Sequence, residues 1–250
     1  MKHFDYPYIG SVRLQAAPPK DSYLHDLPAV RHLLRQPLEF HAPVTFFVGE
    51  NGTGKSTLLE AIAVAAGFNP EGGTRNFNFS TCETHSDLGR DITLTRYAYP
   101  KDGFFLRAES FYNVATNIDE LDQQAAFGAR LIDSYGGISL HEQSHGESFL
   151  ALVLNRLGGN GLYILDEPEA ALSPMRLMSL IAAIHELVRK NSQFIISTHS
   201  PILMAYPDAE IYQLSDQGIE AVDFRQTEHY SFTRRFLENP ERYLRYLLEP

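Results

Sequence analysis

The chain has 250 residues, a formal net charge of −10, 44% hydrophobic and 21% charged residues, and a single cysteine. This is the composition of an ordinary globular protein, and it excludes an internal disulfide framework, a low-complexity chain and the chain-wide basic surface of a non-specific nucleic-acid binder. There is no run of eighteen apolar residues, and the opening MKHFDYPYIG lacks the apolar core of a signal peptide, so no membrane insertion is expected. Cys82 alone fits a reducing cytoplasm and reads as a small packed side chain rather than a reactive thiol.

In chain order, Ile9 to Leu14 reads as a strand and Pro28 to Arg35 as a short helix ended by Pro37. Leu38 to Phe40 is expected beside the strand that follows, the β-branched and aromatic run Val44 to Val48. Next comes Gly49 to Thr57, GENGTGKST, which matches G-x-x-x-x-G-K-[ST], the phosphate-binding loop. Glycines 49, 52 and 54 permit turns that a side chain would block and let backbone N–H groups approach phosphate oxygens. The loop residues Glu50, Asn51, Gly52, Thr53, Gly54, Lys55, Ser56 and Thr57 form the candidate nucleotide-binding set. Lys55 suits the β- and γ-phosphates, and the Ser56 hydroxyl suits Mg²⁺. Ser56 to Ala66 has helical spacing, so the order strand, glycine-rich loop, helix N-terminus makes an anion site.

Beyond a turn at Pro70 to Gly73, Asn76 to Ser80 and Ile92 to Tyr99 read as strands. Lys101 to Gly103 reads as a turn, and Glu109 to Leu121 and Gln123 to Ile132 as helices. Glu147 to Leu157 is an apolar-rich helix preceded by SHGES, residues 144 to 148. Leu162 to Leu165 is a buried strand delivering Asp166 and Glu167 at its C-terminal end, where α/β sheets place ligands. Pro174 to Lys190 is a helix, Phe194 to Ser197 the next buried strand, and Glu210 to Leu214 with Ile219 to Asp223 a hairpin. Ser231 to Leu248 reads as two short amphipathic helices broken at Pro240. Beside a phosphate loop, Asp166 suits the Mg²⁺ shell and Glu167 the positioning or deprotonation of an attacking water. His199, just past a strand end, can donate to a γ-phosphate oxygen. Tyr8 and Tyr23 are candidates for stacking on the nucleobase, with core packing the competing role for both. The basic clusters Arg31, His32, Arg35 and Arg234, Arg235, Arg242, Arg245 read as solvated faces before nucleic-acid contacts.

These motifs together resemble the ABC-type P-loop ATPases. GENGTGKST is similar to their Walker A, SHGES to a variant signature, LYILDEPEAALSP to Walker B with its D-loop, and STHS to the switch-histidine loop, in the family's order. The glutamate form of the signature and the stretches DEPEAALSP and THSPIL resemble small stand-alone "AAA-type" ATPases. These are related to the overcoming-lysogenisation-defect and chromosome-maintenance and repair ATPases. The resemblance implies an α/β fold with a mainly parallel central sheet, an N-terminal antiparallel portion and a helical lobe. It implies a single ATPase domain over residues 1–250, with a helical subdomain at about 104–158. It implies Lys55, Glu167 and His199 as the catalytic set, and Ser56 and Asp166 on Mg²⁺. Ser144, His145, Gly146 and Glu147 would close on the nucleotide of a second copy in an ATP-dependent homodimer. His145 stands where the family has a glycine, and no glutamine lies between Lys55 and Leu121, leaving Asn76, Asn78 or Thr81 as substitutes for the usual glutamine ligand. The span before SHGES is too short for a coiled-coil arm, and the stretch after His199 too short for an appended nuclease. The expected activity is therefore ATP hydrolysis by a soluble switch acting on nucleic acid or a partner protein, in repair or phage defence. The nucleotide-binding subunit of a transporter is the first alternative and a phosphotransferase the second.

Overall fold

Short runs of β-branched and aromatic residues alternating with Leu- and Ala-rich helical segments dictate an α/β arrangement. A computed structural model describes residues 7–74, 88–108, 111–124 and 131–248. The expected strand Asn76 to Ser80, the glutamine substitutes Asn76, Asn78 and Thr81, and Cys82 lie outside those residues. The elements run β1 (Ile9–Leu14), α1 (Pro28–Arg35), β2 (Leu38–Glu39), β3 (Val44–Val48), α2 (Lys55–Ala66), α3 (Leu88–Asp91), β4 (Ile92–Arg96) and β5 (Asp102–Arg107). Then follow α4 (Phe111–Gln124), α5 (His145–Arg156), β6 (Gly161–Asp166), α6 (Pro174–Arg189), β7 (Gln193–Ser197) and α7 (Pro201–Met204). The hairpin β8 (Glu210–Ser215) and β9 (Gly218–Ala221) and the helices α8 (Glu228–Glu238) and α9 (Pro240–Leu248) complete the chain.

The larger sheet has the strand order β5-β6-β7-β3-β8-β9. Its first five strands are parallel and β9 closes it antiparallel. Alternation along the strands sorts the side chains into two cores. Phe46, Phe104, Tyr163, Leu165, Phe194 and Ile196 face α5 and α6. Phe47, Phe105, Leu162, Ile164 and Ile195 face α2 and the smaller sheet β2-β1-β4. The register sets the site. Ser197 lies level with Asp166 on one side and Phe47 on the other. The phosphate loop, the two carboxylates and the STHS segment therefore leave the sheet side by side at one edge.

Several expectations change. Leu38–Glu39 pairs with β1, Ser11 opposite Glu39, and not with β3, whose two edges are taken by β7 and β8. Lys101 to Gly103 is not a free turn, since Asp102–Arg107 pairs in full register with β6 and buries Phe104, Phe105 and Leu106. Residues 104–107, expected at the start of the helical subdomain, therefore belong to the central sheet. The strand Ile92 to Tyr99 ends at Arg96 and the helix expected over Glu109 to Leu121 continues to Gln124, while Glu109, Ser110 and much of the expected helix Gln123 to Ile132 lie outside the described residues. Asp102 anchors the start of β5. Its carboxylate accepts from Arg156 Nη1 at 3.0 Å, Tyr163 Oη at 2.8 Å and the Gly158 N–H at 3.1 Å. Although burial opposes ionisation, these donors hold the Asp102 carboxyl below its ordinary value.

Candidate phosphate and carboxylate site

The loop after β3 is shaped by its glycines. Gly49 has φ +138°, and a Cβ there would stand 2.2 Å from the Leu214 carbonyl oxygen, so the loop passes over β8 only with glycine at this position. Gly54 is left-handed and caps α2. Thr53 Oγ1 donates to the Glu50 carbonyl at 2.9 Å and tightens the turn that contains Asn51 and Gly52. Lys55 is buried, and its ammonium donates to the Gly49 and Glu50 carbonyls at 2.9 and 3.0 Å, which aims it along the loop. Burial lowers its pKa against the pull of Glu167 and Asp166. Thr57, next on α2, is half-buried.

Ser56 Oγ donates to Asp166 Oδ1 at 3.0 Å. Ser197 Oγ donates to the same oxygen. The other face of Asp166 meets Arg107, whose Nε is 3.5 Å from Oδ2 while its Nη1 pairs with Glu60 at 2.7 Å. A hydroxyl and a carboxylate oxygen that already converge are hard donors of the kind Mg²⁺ takes. Among the described residues there is no group of three or more His, Cys, Asp or Glu side chains that could hold a metal. Ser56 and Asp166 thus fit an ion completed by phosphate oxygens and water.

Glu167 adopts the left-handed conformation, φ 48° and ψ 52°, which is unusual for a residue with a side chain. Its N–H bonds to the Ser197 carbonyl at 3.1 Å and to Ser197 Oγ at 3.2 Å, which locks this backbone to the end of β7. The carboxylate is thereby turned off the strand, 3.4 Å from His199 Nε2. The His199 N–H donates to Glu169, and burial raises the Glu169 carboxyl above its ordinary value against that hydrogen bond. His199 Nδ1 lies 2.9 Å from His229 Nε2 on α8. A groove of about 450 Å³ runs from Ser56, Asp166 and Glu167 past Ala170 and Ala171 to His145.

Ser144 is the N-cap of α5 in a capping box: its N–H and Oγ both bond Glu147, at 3.1 and 2.6 Å. Glu147 also pairs with Arg176 at 3.1 Å, and Arg176 Nη1 donates to Ser144 Oγ at 3.3 Å. Glu147 therefore serves the helix end and not an anion. Gly146 is demanded by packing, since a Cβ would meet Arg176 Nη1 at 2.4 Å and the Ala171 carbonyl at 2.8 Å. The segment 144–147 is thus in contact with Ala171 and Arg176 of the same chain, and His145 lines the same groove as Asp166.

Of the two nucleobase candidates, Tyr8 is at the wrong edge. Its hydroxyl donates to the Asn191 carbonyl, ahead of β7 and opposite the phosphate loop. Tyr23 is 63% exposed and opens the short 3₁₀ turn Tyr23–Asp26 leading to Leu27, which packs toward Gly54. Arg31, His32 and Arg35 share a cleft with Asp216 and Glu220, so that cluster is not a uniform basic patch. Arg234 pairs with Glu238 at 2.7 Å, and Arg235 Nε donates to the Ser231 carbonyl.

Sequence reading missed Arg107, Arg176 and His229. Arg107 ends β5 and Arg176 lies in the first turn of α6, with no local mark of their reach. His229 lies far down the chain, and its approach to His199 exists only in the fold.

An AAA-domain profile matches residues 29–121, and a second AAA-domain profile, whose description adds an AbiEii toxin of type IV toxin–antitoxin systems, matches residues 110–205. The cytochrome c biogenesis ATP-binding export protein CcmA of Legionella pneumophila is 28% identical over 206 residues, covering 76% of this chain and 94% of that protein. Its counterpart in strain Paris is 28% identical over 202 residues, with the same coverage. Among solved structures, cbiO1 from Clostridium perfringens, part of the ABC transporter complex cbiONQ, superposes with a TM-score of 0.51. The identity is 18%, over 98% of this chain and all of that one. Two AAA-domain profiles in succession, a relative aligned along nearly its whole length and a shared fold agree with the site geometry in supporting a P-loop ATPase fold similar to the ABC-type ATPases.

Proposed function

We propose that the protein is a Mg²⁺-dependent ATPase whose working form is a homodimer with two nucleotides at the interface. We propose further that ATP-driven closure of this dimer is a soluble, cytoplasmic switch acting on nucleic acid or a partner protein, in repair or phage defence. The observation that carries the catalytic reading is the convergence of Lys55, Ser56, Asp166, Glu167 and His199 on one sheet edge, with Asp166 held by two hydroxyls while Glu167 is left aimed into the groove. In this reading residues 49 to 57 wrap the phosphates with backbone N–H groups, and Lys55 neutralises the β- and γ-phosphates. Ser56 and Asp166 would hold Mg²⁺, which supplies charge neutralisation on the phosphate oxygens. Glu167 orients the attacking water and takes its proton as the oxygen bonds to phosphorus. His199 donates to a γ-phosphate oxygen and so stabilises charge as the bond to the leaving ADP breaks.

The dimer supplies the remaining face. Ser144, His145 and Gly146 stand at the N-terminus of α5, a 12-residue helix whose end is suited to phosphate, and Glu147 is occupied by the cap. A second copy would offer this segment across an isologous interface. Sedimentation of Glu167→Gln with and without Mg-ATP tests the proposal. A monomer without nucleotide and a dimer with it is the expected result; a monomer under both conditions contradicts it.

A second reading has one specific observation behind it. The CcmA relatives are export proteins and align over 94% of their length. If this chain is instead the nucleotide-binding subunit of a transporter, it will co-purify stoichiometrically with an integral membrane protein and its ATPase will depend on it.

A further inference from the structure

His199 is the histidine whose proton matters in the proposed reaction, and a proton on one ring nitrogen excludes one on the other while the ring is neutral. Its Nδ1 lies 2.9 Å from His229 Nε2, and the two rings meet edge-on, centroids 5.0 Å apart at 61°. Its Nε2 lies 3.4 Å from Glu167 Oε1, is shielded from solvent and has no hydrogen-bond partner among the described residues. Two arrangements of one proton are available between the rings. If His199 donates from Nδ1, its Nε2 lone pair faces the Glu167 carboxylate and any phosphate oxygen in the groove, so acceptors oppose acceptors. If His229 donates from Nε2 to His199 Nδ1, His199 carries its proton on Nε2, and the donor faces the anions. Only the second turns a donor toward the Glu167 carboxylate.

The position of His229 is not accidental to a loose terminus. It lies in the first turn of α8, whose N-cap Thr227 is fully buried, donates to the Phe224 carbonyl at 2.8 Å and accepts from the Tyr230 N–H. The Phe224 and Tyr230 rings pack at 4.5 Å and clamp the same turn. The charged groups around the pair are Glu50 and Lys55 from the phosphate loop, Glu228 beside it, and Glu167 and Glu169 across from His199. Burial and then the adjacent His199 lower the pKa of His229, which favours the neutral ring with the single N–H that the arrangement needs.

We propose that His229 is a positioning residue that fixes the tautomer of His199, donating from its Nε2 so that His199 presents Nε2–H to the phosphate end of the site. The inference rests on the assignment of His199 to the γ-phosphate, and its test separates the two. Long-range ¹H–¹⁵N correlation on histidine-labelled, nucleotide-free full-length protein at about pH 8 reads the tautomer directly, since an ordinary imidazole is neutral there. His199→Gln identifies the signal. The wild type is expected to show His199 as the Nε2–H form. His229→Gln, whose amide N–H can replace the donor, should keep it, and His229→Phe should give a mixture of both tautomers. In the ATPase assay His229→Phe is expected to lower kcat about tenfold at unchanged ATP affinity, the size of one hydrogen bond, with His229→Gln restored to within about threefold. A pure Nε2–H form in His229→Phe, or a His229→Gln variant as slow as His229→Phe, overturns the proposal. If instead the tautomers behave as expected but His199→Ala hydrolyses ATP normally, it is the γ-phosphate assignment that fails.

Discussion

Ser197→Ala removes the hydroxyl that joins three parts of the site. In the native chain that hydroxyl donates to Asp166 Oδ1, and its oxygen also accepts from the Glu167 N–H. The variant leaves the Glu167 N–H paired with the Ser197 carbonyl at 3.1 Å, so no backbone donor is orphaned. What is lost is one hydrogen bond to a buried carboxylate, worth about 1.5–3 kcal/mol. Ser56 and Arg107 still face Asp166, which places the cost near the lower end, at about 2 kcal/mol. For a domain of this size that is a fall in Tm of about 4–8 °C. The Mg²⁺ concentration needed for half-maximal ATP binding should rise about 10- to 100-fold, as when the hydrogen-bond partner behind a metal ligand is removed. Thermal unfolding and a nucleotide titration at varied Mg²⁺ measure both. A stability loss below about 0.5 kcal/mol together with an unchanged Mg²⁺ requirement would refute the idea that Ser197 holds Asp166 in place.

Other substitutions separate binding from chemistry and chemistry from folding. Lys55→Ala should abolish Mg-ATP binding by titration calorimetry while the far-ultraviolet circular dichroism is kept, because the ammonium donates to the Gly49 and Glu50 loop carbonyls and not to a core group that the fold depends on. Glu167→Gln should bind ATP nearly normally and hydrolyse it at least ~10²-fold more slowly; turnover at the wild-type rate excludes Glu167 as the base. Asp102→Asn should cost about 3 kcal/mol at neutral pH, since it removes the charge that pairs with Arg156 and replaces one of the two accepting oxygens by an amide donor. The Asp102 carboxyl is held below its unfolded value, so its contribution is complete above about pH 4 and is lost as pH falls through the lower folded value. Chemical denaturation across pH should therefore show wild type and variant converging in acid; a gap constant with pH contradicts this assignment. With net charge −10, any DNA affinity is expected to be weak without ATP and to fall steeply with salt, which a fluorescence-anisotropy titration at two salt concentrations checks.

Much of the sheet edge was legible because each motif is local. A buried strand and the loop that leaves it are contiguous in sequence, so GENGTGKST, LYILDEPE and FIISTHS each announced both an element and its terminal side chains. Parallel register then brought Phe47, Ser197 and Asp166 level without further information. Asp102–Arg107 was hidden because the Lys-Asp-Gly turn signal overlaps its start, while the packing that makes it a strand comes from β6. The contacts of Arg107 with Glu60 and Asp166, and of Arg176 with Ser144 and Glu147, join residues distant in sequence. Such pairs have no period or spacing to betray them. Tyr8 and Tyr23 could not be separated until the fold showed the Tyr8 hydroxyl bonded to Asn191, ahead of β7, and Tyr23 exposed on the turn that leads to Leu27.

In the proposed reaction the catalytic site is shared between two copies. One chain's own groove already reaches from Ser56 and Asp166 to His145, so a site complete within one chain is a concrete physical rival. ATPase activity per mole of protein, measured against protein concentration for the wild type and for Ser144→Arg, decides between them. Ser144 Oγ sits in the capping box with Glu147, so the variant is first checked for intact ATP binding at its own phosphate loop. A shared site predicts that wild-type specific activity rises with concentration until dimers saturate, and that Ser144→Arg binds ATP but neither dimerises nor hydrolyses it. Specific activity independent of concentration, with normal hydrolysis by Ser144→Arg, would show that a single chain completes the reaction.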